Sequence, residues 1–174
     1  MAALIRSLRR LVRGQSGAEV IEFALTLPLL LLVVLGIIEF GFMFQEYEVV
    51  TNAAREGARI AVLPTYSATA GTTQTNVTTR INQYLSAAGL NTASATIYGG
   101  SGCPGSCTWL PAIDTIIAGT PGLCVKVFPV TVAYQHPVAF ARGITLFFGR
   151  TLPTTITLRA TARMRNEVPS ASCS

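Results

Sequence analysis

The sequence predicts an α+β protein in which a long N-terminal transmembrane helix continues into a small extracytoplasmic domain with an antiparallel sheet. Three observations carry this prediction. From Phe23 to Phe44 a long apolar run is interrupted by a single charge, Glu39. Val77, Ile81, Tyr84, Leu85 and Ala88 then recur at helical spacing, and from Thr154 to Arg165 apolar and polar residues alternate strictly. The order gives a basic segment over 1–17, a membrane helix with its extension over 18–63, and an α+β domain over 64–174.

The run from Phe23 to Phe44 has 22 residues. At 1.5 Å per residue it reaches about 33 Å, enough to cross a hydrocarbon core of about 30 Å. A secretory signal would have a shorter apolar core and a small-x-small cleavage site, which the following GFMFQEY does not offer. A core helix of a small soluble domain is rarely so uniformly apolar with charge on one side only.

Direction follows from charge. Arg6, Arg9, Arg10 and Arg13 precede the run with no acidic residue among them, while Gln45, Glu46, Tyr47 and Glu48 follow it. Positive charge stays on the cytoplasmic side, so the C-terminal domain is expected in the periplasm. The same arginines account for most of the net charge of +5: beyond residue 17, nine basic residues face eight acidic ones. The dispersed remainder lacks the basic stripe and aromatic interleaving of a nucleic-acid surface, and nucleic acid is not an expected partner.

Just before the span stands Gly17-Ala18-Glu19-Val20-Ile21-Glu22-Phe23. A cut after Gly17 would make Glu22 the fifth residue of the mature chain, the pattern of a type IV prepilin-like leader. Gly14 would place Glu22 eighth and is the poorer candidate. Glycine lacks a Cβ and lets a backbone approach a protease closely. The cut frees an amine on Ala18, which can neutralise a Glu22 carboxylate on a neighbouring helix; alternatively Glu19 and Glu22 snorkel to the interface. Pro28 removes the donor to the carbonyl of Ala24, so a kink or local loosening is expected there. Two readings stand for Glu39: it snorkels outward, or it meets a partner helix.

From Gly17 to Pro28, GAEVIEFALTLP resembles the TadE-like family of tight-adherence (Flp) pilus proteins. Gly36-Ile37-Ile38-Glu39-Phe40-Gly41 and Ala53-Ala54-Arg55-Glu56-Gly57-Ala58-Arg59 resemble its next landmarks, and the specific likeness covers residues 13–61. Near the C-terminus only a strand followed by Met164-Arg165-Asn166-Glu167 is similar. The resemblance implies a minor pilin, or pseudopilin, held in the bacterial inner membrane and in some cases incorporated in a surface pilus. It implies processing by a prepilin peptidase, and contacts with other pilins and the pilus assembly platform. Gly17 and Ala18 would form the processing site, and Glu22, Phe23, Pro28 and Glu39 would serve helix assembly. The cysteine-bearing loop has no counterpart in that likeness.

Beyond the membrane the helix should continue along Val49, Val50, Ala53, Ala54, Gly57, Ala58 and Ala61 until Leu63-Pro64 stops it. Ala53, Gly57 and Ala61, four apart, permit close approach of another helix or of the domain's own sheet, the latter preferred. A polar linker is expected over 65–76, then an amphipathic helix from Val77 to Ala88 with Gly89 as its C-cap. Strands are predicted over Ser94–Tyr98, over Leu123–Tyr134 with Pro129 marking an edge or bulge, and over Thr154–Arg165. The last puts Ile156, Leu158, Ala160, Ala162 and Met164 on a core face. Arg159, Arg163 and Arg165 fall on the wet face, as a solvated surface or a binding surface for an acidic partner. Val138–Phe148 is too short to span and reads as a core helix rather than a membrane-lying segment.

The segment between Tyr98 and Leu123 is rich in glycine and proline and carries Cys103, Cys107 and the only tryptophan, Trp109. All four cysteines follow the span, where an oxidising compartment favours disulfides. Cys103–Cys107 with Cys124–Cys173 is the preferred pairing of three. Trp109 is either an exposed binding residue or a hydrophobic plug beneath the loop. His136 before Pro137 reads as a turn residue rather than a ligand or base. With one histidine and four cysteines no metal site is expected, and no cofactor. No nucleophile with a base and no phosphate loop supports an enzyme. The rival to a pilus component is an unprocessed, membrane-tethered periplasmic binding or scaffold module.

Overall fold

The computed structural model describes residues 15–63, 70–101, 103, 106–109, 112–114, 125–141, 149 and 153–165. The chain divides into two units, Met1–Gly41 and Phe42–Ser174. Helix α1, Gln15–Val62, supplies all that is described of the first and opens the second. The second adds α2 (Ala70–Ala87), a 3-10 turn at Thr92–Ser94, and strands β1 (Ala95–Gly99), β2 (Ala112–Asp114), β3 (Val125–Pro137) and β4 (Thr155–Arg165). The α+β class expected from the sequence is the one observed.

In the second unit α1 buries Val50, Ala53, Ala54, Ala58 and Ala61. It ends where the Leu63 N–H bonds to the Ile60 carbonyl, immediately before Pro64. A Cβ placed on Gly57 would lie 2.5 Å from Ile81 Cδ1 of α2 and 3.4 Å from Val130 Cγ1 of β3. The small-residue face therefore packs on this chain's own second helix and sheet. Gly57→Ala gains helix propensity of about 1 kcal/mol but overpacks the fully buried Ile81 by about 1–3 kcal/mol. A net loss of roughly 1 kcal/mol is expected in urea unfolding of the full chain in detergent.

Helix α2 starts at Ala70, within the stretch expected to be a polar linker. Threonine is β-branched and a poor helix former, so propensity alone argues against a helix here. Burial prevails, because Thr73 continues the stripe of Val77, Ile81 and Leu85 by one turn, all at four-residue spacing. The Thr75 and Thr78 hydroxyls bond back to the carbonyls of Gly71 and Gln74. Gly89, at φ 79°, ends the helix as expected. The Leu90 N–H reaches the Leu85 carbonyl at 2.9 Å and the Gly89 N–H that of Ser86 at 3.0 Å, a Schellman cap.

Strand β3 is central and antiparallel to every partner. Along one edge it pairs with β4 from Val127↔Arg165 to Pro137↔Thr155. Its other edge is shared, with β2 on 125–127 and β1 on 130–134. Pro129 is thus neither at an edge nor in a bulge. It sits at the seam between β2 and β1, where its carbonyl accepts from the Gly100 N–H at 3.0 Å and no ladder donor is required on that side. The three residues of β2 interrupt what the sequence presents as a continuous loop.

The inward positions of β3 are Phe128, Val130, Val132, Tyr134 and His136, all buried. Opposite them on β4, Ala160 and Ala162 are buried and Leu158 and Met164 pack against the core, while Ile156 keeps 38% exposure. On β4 the outer face is threonine and arginine, and the Thr131 and Thr161 hydroxyls lie 2.8 Å apart. Val138–Phe140 are non-helical, Ala141 is helical and buried, and 142–148, where most of the expected core helix falls, lie outside the described residues.

Glu56 of α1 ties the two helices together. It accepts two bonds from Arg59 at 2.9 and 3.0 Å and two from Arg80 of α2 at the same distances. Arg59 first, with Arg80, holds its carboxyl at about 2 against an ordinary 4.5, over the opposing effect of burial. A depressed carboxyl stabilises fully above its unfolded value and loses that contribution as pH falls towards the folded one. Both guanidiniums are about half exposed, which limits the contribution to about 1 kcal/mol. Wild type should lose most of that between about pH 5 and about pH 2 relative to Glu56→Gln, read from urea midpoints.

Candidate functional site

Helix α1 of the first unit presents an almost wholly apolar surface. Val20, Ile21, Phe23, Leu25, Leu29, Ile37 and Phe40 are each 58–75% exposed. This is the one helix among the described residues long and apolar enough to cross a membrane, and none of its most apolar window is buried within the protein. A core helix of this chain would be covered. Solvation of so much hydrocarbon is unfavourable by roughly 25 cal/mol per Å², so the surface calls for lipid or other helices.

Gly17 and Ala18 lie in the first turn of α1. Glu22 is exposed, with the Thr26 hydroxyl bonded back to its carbonyl at 3.1 Å. Phe23 is 62% exposed on the next position. The helix runs through Pro28 without interruption. Glu39 is 9% exposed and engaged in an interaction. Sequence pattern did not foreshadow that burial.

In the second unit the structure separates residues that the sequence grouped as a binding surface. Arg159, Arg163 and Arg165 are exposed on the outer sheet face, opposite Ala133, Pro129 and Val127. Trp109 is 6% exposed, part of the core, with its ring tilted against Phe128 at a centroid separation of 6.5 Å. Trp109 is therefore the plug and not a surface residue, because Gly99 beneath it leaves room for the ring: a Cβ there would stand 2.3 Å from Trp109 Cζ3. Cys103 and Cys107 are disulfide-bonded with Cα atoms 5.1 Å apart, closing the loop above it. Cys124 and Cys173 lie outside the described residues.

His136 is the residue whose role the sequence reading missed. It belongs to β3 and not to a turn, is 5% exposed, and places Nδ1 2.7 Å from Oε2 of Glu46 on α1. This is the geometry of an Nδ1–H donating to a carboxylate. Beside them, burial and then the Glu46 charge push the Tyr134 phenol up, against a hydrogen bond from the Asn91 backbone. The signal available was parity: Phe128, Val130, Val132 and Tyr134 share one face, and one more step places His136 with them.

Compared with known proteins, the chain matches the family model described as TadE-like protein over residues 17–59. The match covers Gly17–Phe23, the apolar run and the small-residue face except Ala61, and the resemblance drawn from the sequence is shown over that stretch. It implies involvement in tight-adherence pilus assembly. No curated protein and no solved structure matches the chain.

Proposed function

We propose that this chain is a minor pilin, or pseudopilin, which acts in assembling or initiating a tight-adherence pilus through its N-terminal helix. The observation that carries the proposal is the TadE-like match lying on an apolar helix whose side chains are left uncovered. In this scheme the leader holds orientation until a prepilin peptidase of the inner membrane cuts between Gly17 and Ala18. The new amine then neutralises Glu22 of a neighbouring subunit, and helix packing against other pilins or the assembly platform replaces lipid contact. The protein's role is structural, with no reaction of its own.

N-terminal sequencing of the protein from its host tests this. The expected mature chain begins at Ala18, and Gly17→Val should leave the precursor uncut, since a β-branched side chain replaces the hydrogen that admits the backbone to a protease site. Glu22→Ala should still be cut yet fail to assemble. An intact Met1 with the peptidase present would sink the proposal and favour a tethered periplasmic module.

A further inference from the structure

Within the second unit α1 turns one side to its own domain, through Val50, Ala53, Ala54 and Ala61. The opposite side is polar. Gln45, Glu48, Asn52, Arg55 and Arg59 are all exposed there and follow one another at intervals of three and four residues. Such spacing keeps them on one stripe, which drifts by about 20° every seven residues. The packing that forms the domain leaves this stripe uncovered.

The charges around it are already engaged. Glu46 is bonded to His136, and Glu56 holds both Arg59 and Arg80. Glu48 and Arg55 differ from these: among the described residues neither has an ion pair, and Arg55 donates to Asn52 Oδ1 at 3.4 Å. An exposed acid and an exposed base thus stand on one stripe seven residues apart, about 10.5 Å along the axis. Side chains pair along a helix at three or four residues, so these two do not meet within one chain.

Copies of the helix inserted in one membrane run parallel, because the same charge asymmetry orients each. In register, Glu48 would face Glu48 and Arg55 would face Arg55, and like charges repel. A slide of four residues sets Arg55 against Arg59. A slide of seven opposes Glu48 to Arg55 and Gln45 to Asn52, and brings Asn52 to Arg59.

We infer that a second copy of this chain docks on this stripe, parallel and displaced by seven residues, with Glu48 of one copy against Arg55 of the next. The contact presupposes the pilin reading and gives it a partner surface. Each copy offers Glu48 to one neighbour and Arg55 to another, so the contact is heterologous and does not close on itself. The stripes gather about a common axis with the domains outside it. Exposed ion pairs are individually weak, so the pair sets register, while burial of the apolar run supplies the affinity.

The test exploits the lysine content of the chain, which is Lys126 alone. Arg55→Lys keeps the positive charge and adds an amine that a carbodiimide couples directly to a carboxylate in contact with it. Host membranes carrying full-length Arg55→Lys should give a ladder of dimer, trimer and higher species, joined between Glu48 and the introduced amine in the linked peptides. Adding Glu48→Gln should return the ladder to the wild-type background, and the exchanged variant, Glu48→Lys with Arg55→Glu, should restore it. A series that stops at the dimer, or an amine coupled to another carboxylate or another protein, overturns the contact. N-terminal sequencing of the same sample separates the two levels. A chain beginning at Ala18 without the Glu48 link overturns the contact and leaves the pilin reading standing; an intact Met1 removes that reading and the contact with it.

Discussion

Trp109→Ala is expected to destabilise the folded C-terminal domain by about 3–5 kcal/mol, the range for truncating a large buried aromatic. The site has little means of collapsing onto the cavity: Gly99 beneath the ring has no side chain to offer, and the Cys103–Cys107 bridge limits how far the loop above can sink. A companion variant makes the prediction specific. Trp109 holds φ at 51°, a left-handed conformation costing an L-residue roughly 1–2 kcal/mol, and its N–H bonds to the Gly99 carbonyl at 3.3 Å. Glycine adopts that conformation freely. Trp109→Gly should therefore be less destabilising than Trp109→Ala by about 1 kcal/mol, reversing the order found where φ is negative. Denaturant midpoints of the full chain in detergent, followed by circular dichroism, give both values. Alanine equal to or better than glycine would mean that the left-handed backbone is not retained.

The contrast between what was legible and what was not follows from range. The apolar run from Phe23 to Phe44 and the alternation of β4 are local periodicities, visible in any window that covers them. The TadE-like likeness rests on the same local stretch, as does the proposed assembly site. Gly89 was readable because a helix C-cap is set by its own few residues. The failures involve packing between distant segments. Thr73 is helical and buried in line with Val77, Ile81 and Leu85, against its own propensity. Pro129 is tolerated in a central strand because β2 and β1, separate in sequence, divide one edge at that point. Trp109 depends on a glycine ten residues earlier and a phenylalanine on another strand, so a loop composition that suggested a binding tip conceals a core residue.

The His136–Glu46 pair, 90 residues apart in sequence, should also be among the most costly to break. His136 and Glu46 side chains are 6% and 19% exposed, in a wall otherwise made of Val50, Tyr134 and their neighbours. Replacing a buried pair by apolar groups of similar shape is often neutral, whereas removing one partner strands the other at a cost of about 3–5 kcal/mol. His136→Ala and Glu46→Ala should each approach about 3 kcal/mol, lessened where Glu46 keeps some contact with water. The double variant should fall short of their sum by at least about 1 kcal/mol, because the second removal no longer orphans a partner. Glu46→Gln, which retains an acceptor oxygen for the histidine Nδ1–H, should cost less than Glu46→Ala. Additive single and double values would mean that the two side chains are not coupled. Coupling matters beyond stability, because Glu46 is the first acidic residue after the apolar run and His136 the last but one of β3. Through this contact the end of β3 is held to the part of α1 that directly follows the apolar run.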